Sequence, residues 1–295
     1  MTKRNIIGTI ADIDDTLIPW EVPHSLAYPA MSLALSEKSG LPEEKIIAEI
    51  KAINSKYGTI EYSALIQEMP SFQHLSASKQ KELINLAVKS RREAVNGLTE
   101  PFPGVPILLE TLRTNRLIRV ALSDAPVNLA YLRLKKAKLL QYFDLVAGRP
   151  SPSDELFSPE HRMGNKPYLV PVTTVEQQKP QTDLKRLLNQ SDEQIRNKYF
   201  LFGNSGHSDR GLARRYGMLF YQTGWDNGTP AMRDTLLRYA PEPVLAANVG
   251  TEIAPDQQDF ETHPDFELVE VDSPLEMMRD LHRRGIISQL PAEMS

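Results

Sequence analysis

Three acids fall within four positions at the end of Ile6-Ile7-Gly8-Thr9-Ile10-Ala11-Asp12-Ile13-Asp14-Asp15-Thr16-Leu17. Carboxylates crowded against an apolar segment repel one another and lose hydration, a cost that stands unless a cation or a reaction uses them. Spacing removes two uses. A calcium loop fails, because Leu17 fills the glycine position and no glutamate closes the twelve-residue frame. An aspartic protease fails, because Thr16 is followed by Leu17 where such sites have glycine. A bland use stays open, in which Asp14 or Asp15 only caps a turn. Further along, Ser123-Asp124 and Gly203-Asn204-Ser205-Gly206-His207-Ser208-Asp209 each follow an apolar run. Lys179-Pro180 precedes the second of these and opens a helix.

The elements that must position these groups alternate. Residues 5–11, 117–122, 143–147, 199–202 and 266–271 read as short buried strands. Helices are expected near 105–115, over about 127–140, over 184–188 and from near Asp209. Another starts at Ser273-Pro274-Leu275-Glu276, a capping-box pattern with proline at the first helical position, and ends near Gly285. Such alternation predicts an α/β fold with a doubly wound parallel sheet, whose site lies beyond the carboxyl ends of the strands. Residues 29–97 differ. They hold amphipathic helices, one with Ile46, Ile47, Ile50 and Ile53 at helical spacing, separated by Gly40-Leu41-Pro42 and Pro70-Ser71. The expected organisation is a core of residues 1–19 and 101–295 with an all-helical insertion over 20–100. Residues 149–178 and 226–262 read as excursions from the core.

Taken in order, ADIDDTL, VALSDAP, QQKPQTDLKRLL and YFLFGNSGHSDRGLARRYGM resemble the haloacid dehalogenase-like superfamily of phosphohydrolases, over residues 5 to about 220. The helical insertion resembles the cap of that superfamily, on a Rossmann-like core. The resemblance implies Asp12 as nucleophile, forming an aspartyl-phosphate, and Asp14 as general acid and then base. It implies that Thr16 holds the turn and that Ser123 and the amide of Asp124 bind phosphoryl oxygens. Lys179 would neutralise the acids and the phosphate. Mg²⁺ would bind the Asp12 carboxylate, the Asp14 carbonyl and an acid of the last motif. Because the dehalogenase branch needs no acid two residues after the nucleophile, Asp14 favours phosphate ester chemistry. The implied activity is Mg²⁺-dependent hydrolysis of a small phosphorylated metabolite. The alternatives are a phosphotransferase or phosphonatase on the same core, or a weakly active binding or regulatory module.

The match departs at one point. Where the last motif usually reads Gly-Asp, this chain has Gly203-Asn204, and Asp209 is the candidate for the missing carboxylate, directly or through water. Lys166-Pro167 is a second candidate for the motif lysine. Lys179 is preferred because a helix follows it over 184–188. A phosphonatase would need a cap lysine, for which Lys51, Lys56 and Lys89 are present. Asp15 contacts the insertion or sits in solvent, the second being favoured. Trp20 lines the substrate entrance or packs at the hinge. His24, His74, His161, His263 and His282 are expected on surfaces and His207 in a solvent-facing loop. Lys89, Arg91 and Arg92 are expected to form a solvated face. The 295 residues carry a formal net charge of -4 and no cysteine, which excludes disulfides and thiolate chemistry and offers no basic field for nucleic acid. No cleavable signal or membrane span is read, so the cytoplasm is the expected location. The oligomeric state is left open.

Overall fold

The computed structural model describes residues 4–62, 64–150, 172–175, 179, 181–225, 228–242, 244–245 and 262–291. Among them seven parallel strands form one sheet in the order β4-β3-β2-β1-β5-β6-β7. The central strand is β1 (Gly8–Ala11), flanked by β2 (Ile118–Pro126) and β5 (Tyr199–Gly203). On one side follow β3 (Leu145–Arg149) and β4 (Val172–Thr174), and on the other β6 (Leu219–Thr223) and β7 (Glu267–Val271). All four residues of β1 are buried, as a strand covered on both faces requires.

Of the five helices described between β1 and β2, the first four form the insertion: α1 (Glu21–Ser39), α2 (Glu43–Tyr57), α3 (Leu65–Glu68) and α4 (Ala77–Ala94). The sheet helices are α5 (Val105–Thr114), α6 (Val127–Lys136), α7 (Leu184–Leu188), α8 (Asp192–Lys198) and α9 (Ser208–Tyr216). After them come α10 (Pro230–Leu237) and α11 (Pro274–Arg283). Side chains alternate across the sheet. Ala11, Ala121, Phe200 and Phe202 face the layer of α5, α6 and α11. Ile10, Val120, Leu122 and Leu201 face Leu184, Ile195 and Leu212 of α7, α8 and α9. This is the doubly wound arrangement the sequence predicts. The chain leaves β1 toward β2 and returns on the other side at β5, so the strand order reverses at β1. Ligands in such sheets bind beyond the carboxyl ends at that reversal.

Two strands escape the sequence pattern. β4 is three residues inside a polar excursion, and β6, Leu-Phe-Tyr-Gln-Thr, carries no β-branched residue until its last position. The capping box at Ser273 closes only in part. Ser273 accepts the Glu276 amide at 3.2 Å, but the Glu276 carboxylate accepts the amide of Asp272 at 2.9 Å.

Helices α1 to α4 form an apolar cluster of their own, built on Tyr28, Met31, Leu35, Ile46, Ile50 and Phe72. The sequence boundaries assign residues 226–262 to the core. Their described part instead adds Leu236, Tyr239, Ala240, Val244 and Leu245 to the helical cluster. Tyr239 is fully buried, its ring centroid 5.0 Å from that of Tyr28, and its hydroxyl lies 2.9 Å from Ser32 Oγ. Asn54 Nδ2 donates to the Tyr239 carbonyl at 3.0 Å, and Lys51 Nζ to that of Leu237 at 2.8 Å. Most of the 149–178 excursion, with Lys166 and His161, lies outside the described residues. Truncating a ring as buried as Tyr239 leaves a cavity and removes one of the hydrogen bonds of Ser32. Tyr239→Ala is expected to cost about 3–5 kcal/mol, read as a lowered urea midpoint.

Candidate active site

The acidic turn leaves β1 at the strand-order reversal. Asp12 is buried, and its two oxygens have different partners. Lys179 Nζ donates to Oδ1 at 2.7 Å and Thr16 Oγ1 to Oδ2 at 2.8 Å. Thr16 Oγ1 in turn accepts the Asn204 amide at 3.0 Å, which ties the turn after β1 to the loop after β5. Trp225 Nε1 donates to the Thr16 carbonyl at 2.8 Å from the segment after β6. Sequence reading missed Trp225, because nothing local links it to residue 16.

Lys179 is the hub. Its ammonium also bonds Asp209 and stands 4.0 Å from Asp124 Oδ2, while its amide donates to Asp124 Oδ1 at 2.8 Å. Burial works against this charge, but Asp12, Asp209 and Asp124 outweigh it and hold the ammonium well above the ordinary lysine range. Three carboxylates around one ammonium leave an excess of negative charge. Burial, followed by repulsion from Asp12, accordingly pushes Asp209 up to about 7. Burial likewise raises Asp124 against the pull of Lys179. The approach of Asp209 explains Gly203, since a Cβ there would lie 2.2 Å from Asp209 Oδ2.

Asp14 turns away from this cluster. Ser123 Oγ donates to its Oδ2 at 3.0 Å, and Arg133 of α6 to its Oδ1 at 2.7 Å. Ser123 Oγ also accepts the Ala125 amide at 3.0 Å. The Ser123 hydroxyl is therefore engaged by Asp14. Burial raises Asp14, against the lowering by Arg133. Arg133 was not singled out in the sequence, where it is one basic residue in a helix carrying several.

Asp15 does not sit in solvent. It is 4% exposed, adopts φ 54°, and accepts the amides of Trp20 at 2.7 Å and Glu21 at 3.2 Å. Its carboxylate caps the start of α1 and couples the acidic turn to the helical unit. Trp20 is buried at this junction rather than lining an entrance, with its ring stacked on His24 at 4.5 Å. His24 is likewise no surface residue. Burial holds it neutral, with its pKa well below the usual histidine range. Arg91 departs from the solvated face expected of it and lies 5.3 Å over the Tyr28 ring. Lys89 stays exposed, 3.8 Å from Glu93, and Lys56 is exposed beside Glu68 at 2.9 Å. With Lys51 bonded to Leu237, none of the three cap lysines joins the acidic cluster.

The donors here are oxygens with surplus negative charge, which suits a hard divalent cation. Asp12 and Asn204 stand on the two loops that Thr16 joins, and Asn204 Oδ1 lies 3.4 Å from Thr16 Oγ1. Both oxygens of Asp209 are engaged, one by Lys179 and one by the Ser205 amide at 3.1 Å. Among the described residues no three His, Asp or Glu side chains form a metal cage by themselves. A cation would thus need the Asn204 oxygen, a backbone carbonyl and water besides Asp12. No helix among the described residues is long and apolar enough to cross a membrane.

No family model matches the chain, and no curated protein matches it. Solved structures do. A candidate beta-phosphoglucomutase from Thermotoga maritima is 17% identical, covering 94% of this chain and 100% of that one, with a TM-score of 0.49. An HAD phosphatase from Thermococcus onnurineus is 19% identical, covering 76% and 89%, with a TM-score of 0.45. A haloacid dehalogenase-like family protein from Streptococcus pneumoniae is 17% identical, covering 83% and 98%, with a TM-score of 0.39. Likenesses of this size assign no activity to this chain.

Asp15 gives a pH signature. Burial raises it to about 7 from an ordinary 3.8. Between these values the folded chain binds a proton that the unfolded chain has lost, so its contribution to stability falls as pH rises through the window. Asp15→Asn removes that titration. The variant is expected to gain stability on the wild type from pH 4 to pH 7, measured as urea midpoints at each pH. A constant difference would contradict the assignment.

Proposed function

We propose that this protein is a Mg²⁺-dependent phosphatase of the haloacid dehalogenase-like kind, acting on a small phosphorylated metabolite through an aspartyl-phosphate. The observation that carries the reading is the Lys179 ammonium seated on Asp12 and Asp209 where the sheet reverses its strand order. A structural salt bridge has no need of three carboxylates around one lysine, and phosphoryl transfer needs such a balance of charges.

Asp12 attacks phosphorus. The new bond joins its carboxylate oxygen to the phosphoryl group as the ester P–O bond breaks, and Asp14 gives its proton to the departing alcohol oxygen. Asp14 then takes a proton from the water that hydrolyses the aspartyl-phosphate, which restores Asp12 and releases inorganic phosphate. Thr16 orients the Asp12 carboxylate, and Lys179 offsets charge on the nucleophile and the phosphoryl oxygens. Ser123 and the amide of Asp124 are the phosphoryl ligands of this reading, and Ser123 must share its hydroxyl with Asp14. Asp12, Asn204 and the Asp14 carbonyl would hold Mg²⁺, with Asp209 reached through water. Bound Mg²⁺ supplies charge neutralisation at the transferring phosphoryl group.

Residues 20–100, joined by 228–245, act as the cap in this reading. A cavity of about 410 Å³ lies between them and α6, lined in part by His24, Leu65, Arg91, Leu129 and Arg133. That volume is at the small end for ligand sites and suits a metabolite rather than a folded protein.

The test is phosphate release from a panel of phosphorylated metabolites and one aryl phosphate, with Mg²⁺ or with chelator. Turnover is expected to need Mg²⁺ and to fall roughly a thousand-fold or more in Asp12→Asn. Asn204→Asp, which adds a charge at the metal position, is expected to lower the Mg²⁺ concentration for half-maximal activity. Turnover that survives in Asp12→Asn contradicts the mechanism. Mg²⁺-dependent ligand binding without any turnover favours the binding module.

A further inference from the structure

Arg133 has two clients. Its Nη1 donates to Asp14 at 2.7 Å, and its Nη2 pairs with Glu61. The three belong to different parts of the chain. Asp14 lies in the turn after β1, Arg133 on the sheet helix α6, and Glu61 in the segment between α2 and α3 of the helical unit. Glu61 has a side chain only 3% exposed, and its Oε1 also takes Trp20 Nε1 at 3.1 Å and lies 3.4 Å from His24 Nε2. Its Oε2 is buried with no partner among the described residues. A planar fork on two carboxylates fixes its own orientation and that of both partners. A carboxylate has about four acceptor sites. Ser123 and Arg133 fix the plane of the Asp14 carboxyl group and take two of those sites.

Resting on the phosphatase reading, we propose that Arg133 is a positioning residue for Asp14, and that Glu61 sets its place so that the proton donor is aligned when the helical unit is docked. The contact is unlike a surface ion pair. It is largely buried and reaches the proton donor itself, and it is the side-chain link from that donor to the helical unit. Arg133 acts through Asp14, so in the first step, formation of the aspartyl-phosphate, its effect is confined to esters whose leaving oxygen needs a proton, while the second step, shared by all esters, slows alike for each. An aryl phosphate leaves as a stable phenolate and needs little help. An alkyl phosphate needs the acid fully.

This selectivity is the test. Glu61→Gln, Arg133→Met and the double variant are compared with wild type on 4-nitrophenyl phosphate and on the alkyl phosphate turned over fastest, with Mg²⁺. Unfolding midpoints are recorded for each. Arg133→Met is expected to lower the first-turnover rate of alcohol release from the alkyl ester on the order of 10²-fold, with first-turnover release of the phenol from the aryl ester changed far less. Glu61→Gln is expected to give a smaller loss with the same selectivity. The double variant should be no worse than Arg133→Met, because Glu61 acts through Arg133. If Arg133→Met does not fold, Arg133→Lys keeps the charge without the fork and should show the same selectivity. Equal first-turnover losses on both esters, or additive losses in the double variant, overturn the inference and leave the phosphatase reading standing. An enzyme that hydrolyses only the aryl ester also overturns it, since no acid is then at work. Absence of Asp12-dependent turnover on any ester removes the phosphatase reading and this inference together.

Discussion

The contact on which the rest depends is the buried Lys179 ammonium among Asp12, Asp124 and Asp209. An ammonium taken out of water is costly, and so is each carboxylate; only mutual pairing makes the cluster tolerable. Removing the lysine would leave three buried acids without a counter-charge. The fold is arranged to make the pairing possible. β1 delivers Asp12, β2 delivers Asp124, and Gly203 at the end of β5 gives Asp209 room to approach. The pairing is still incomplete, because one positive charge faces three negative ones. Burial, with repulsion from Asp12 added to it, raises the pKa values of Asp124 and Asp209 against the pull of the lysine. A divalent cation and the phosphoryl chemistry proposed here are two sides of that imbalance.

The acidic turn divides its labour by direction. Asp12 faces Lys179, Asp14 faces Ser123 and Arg133, and Asp15 faces back to cap α1. Neighbouring acids that would repel on a flat surface are thus separated into three environments. The left-handed φ of Asp15 allows the chain to turn that way at a residue type that tolerates it. The same three side chains tie Asp12 to Lys179 at the end of the sheet, Asp14 to α6 and the turn to the helical unit. Chemistry and architecture therefore meet within four residues.

Much of this was legible in the sequence, for physical reasons. Apolar runs ending in polar residues marked the strands and the end of the sheet where the site lies. Asp12, Thr16, Lys179 and Asp209 do come together there, joined by direct hydrogen bonds. The misses share a cause. Trp20, His24, Glu61, Arg133 and Trp225 have ordinary local sequence contexts, and their meaning lies in partners remote along the chain. A buried glutamate in a connecting segment looks like any surface glutamate until its neighbours are known. The same holds for α10. Its apolar residues fit either layer, and packing assigns it to the helical unit, with Leu236 in that cluster and Tyr239 just beyond the helix against Tyr28.

The central claim is that Asp12 becomes covalently phosphorylated. The direct measurement uses Asp14→Asn, in which the base for hydrolysis of the aspartyl-phosphate is absent, supplied with an aryl phosphate whose leaving group needs no acid. The reaction is quenched in acid, reduced with borohydride and mapped by mass spectrometry. The account predicts homoserine in place of Asp12, dependent on substrate and on Mg²⁺. Release of the phenol with Asp12 unmodified, or with the phosphate on another residue, would contradict it.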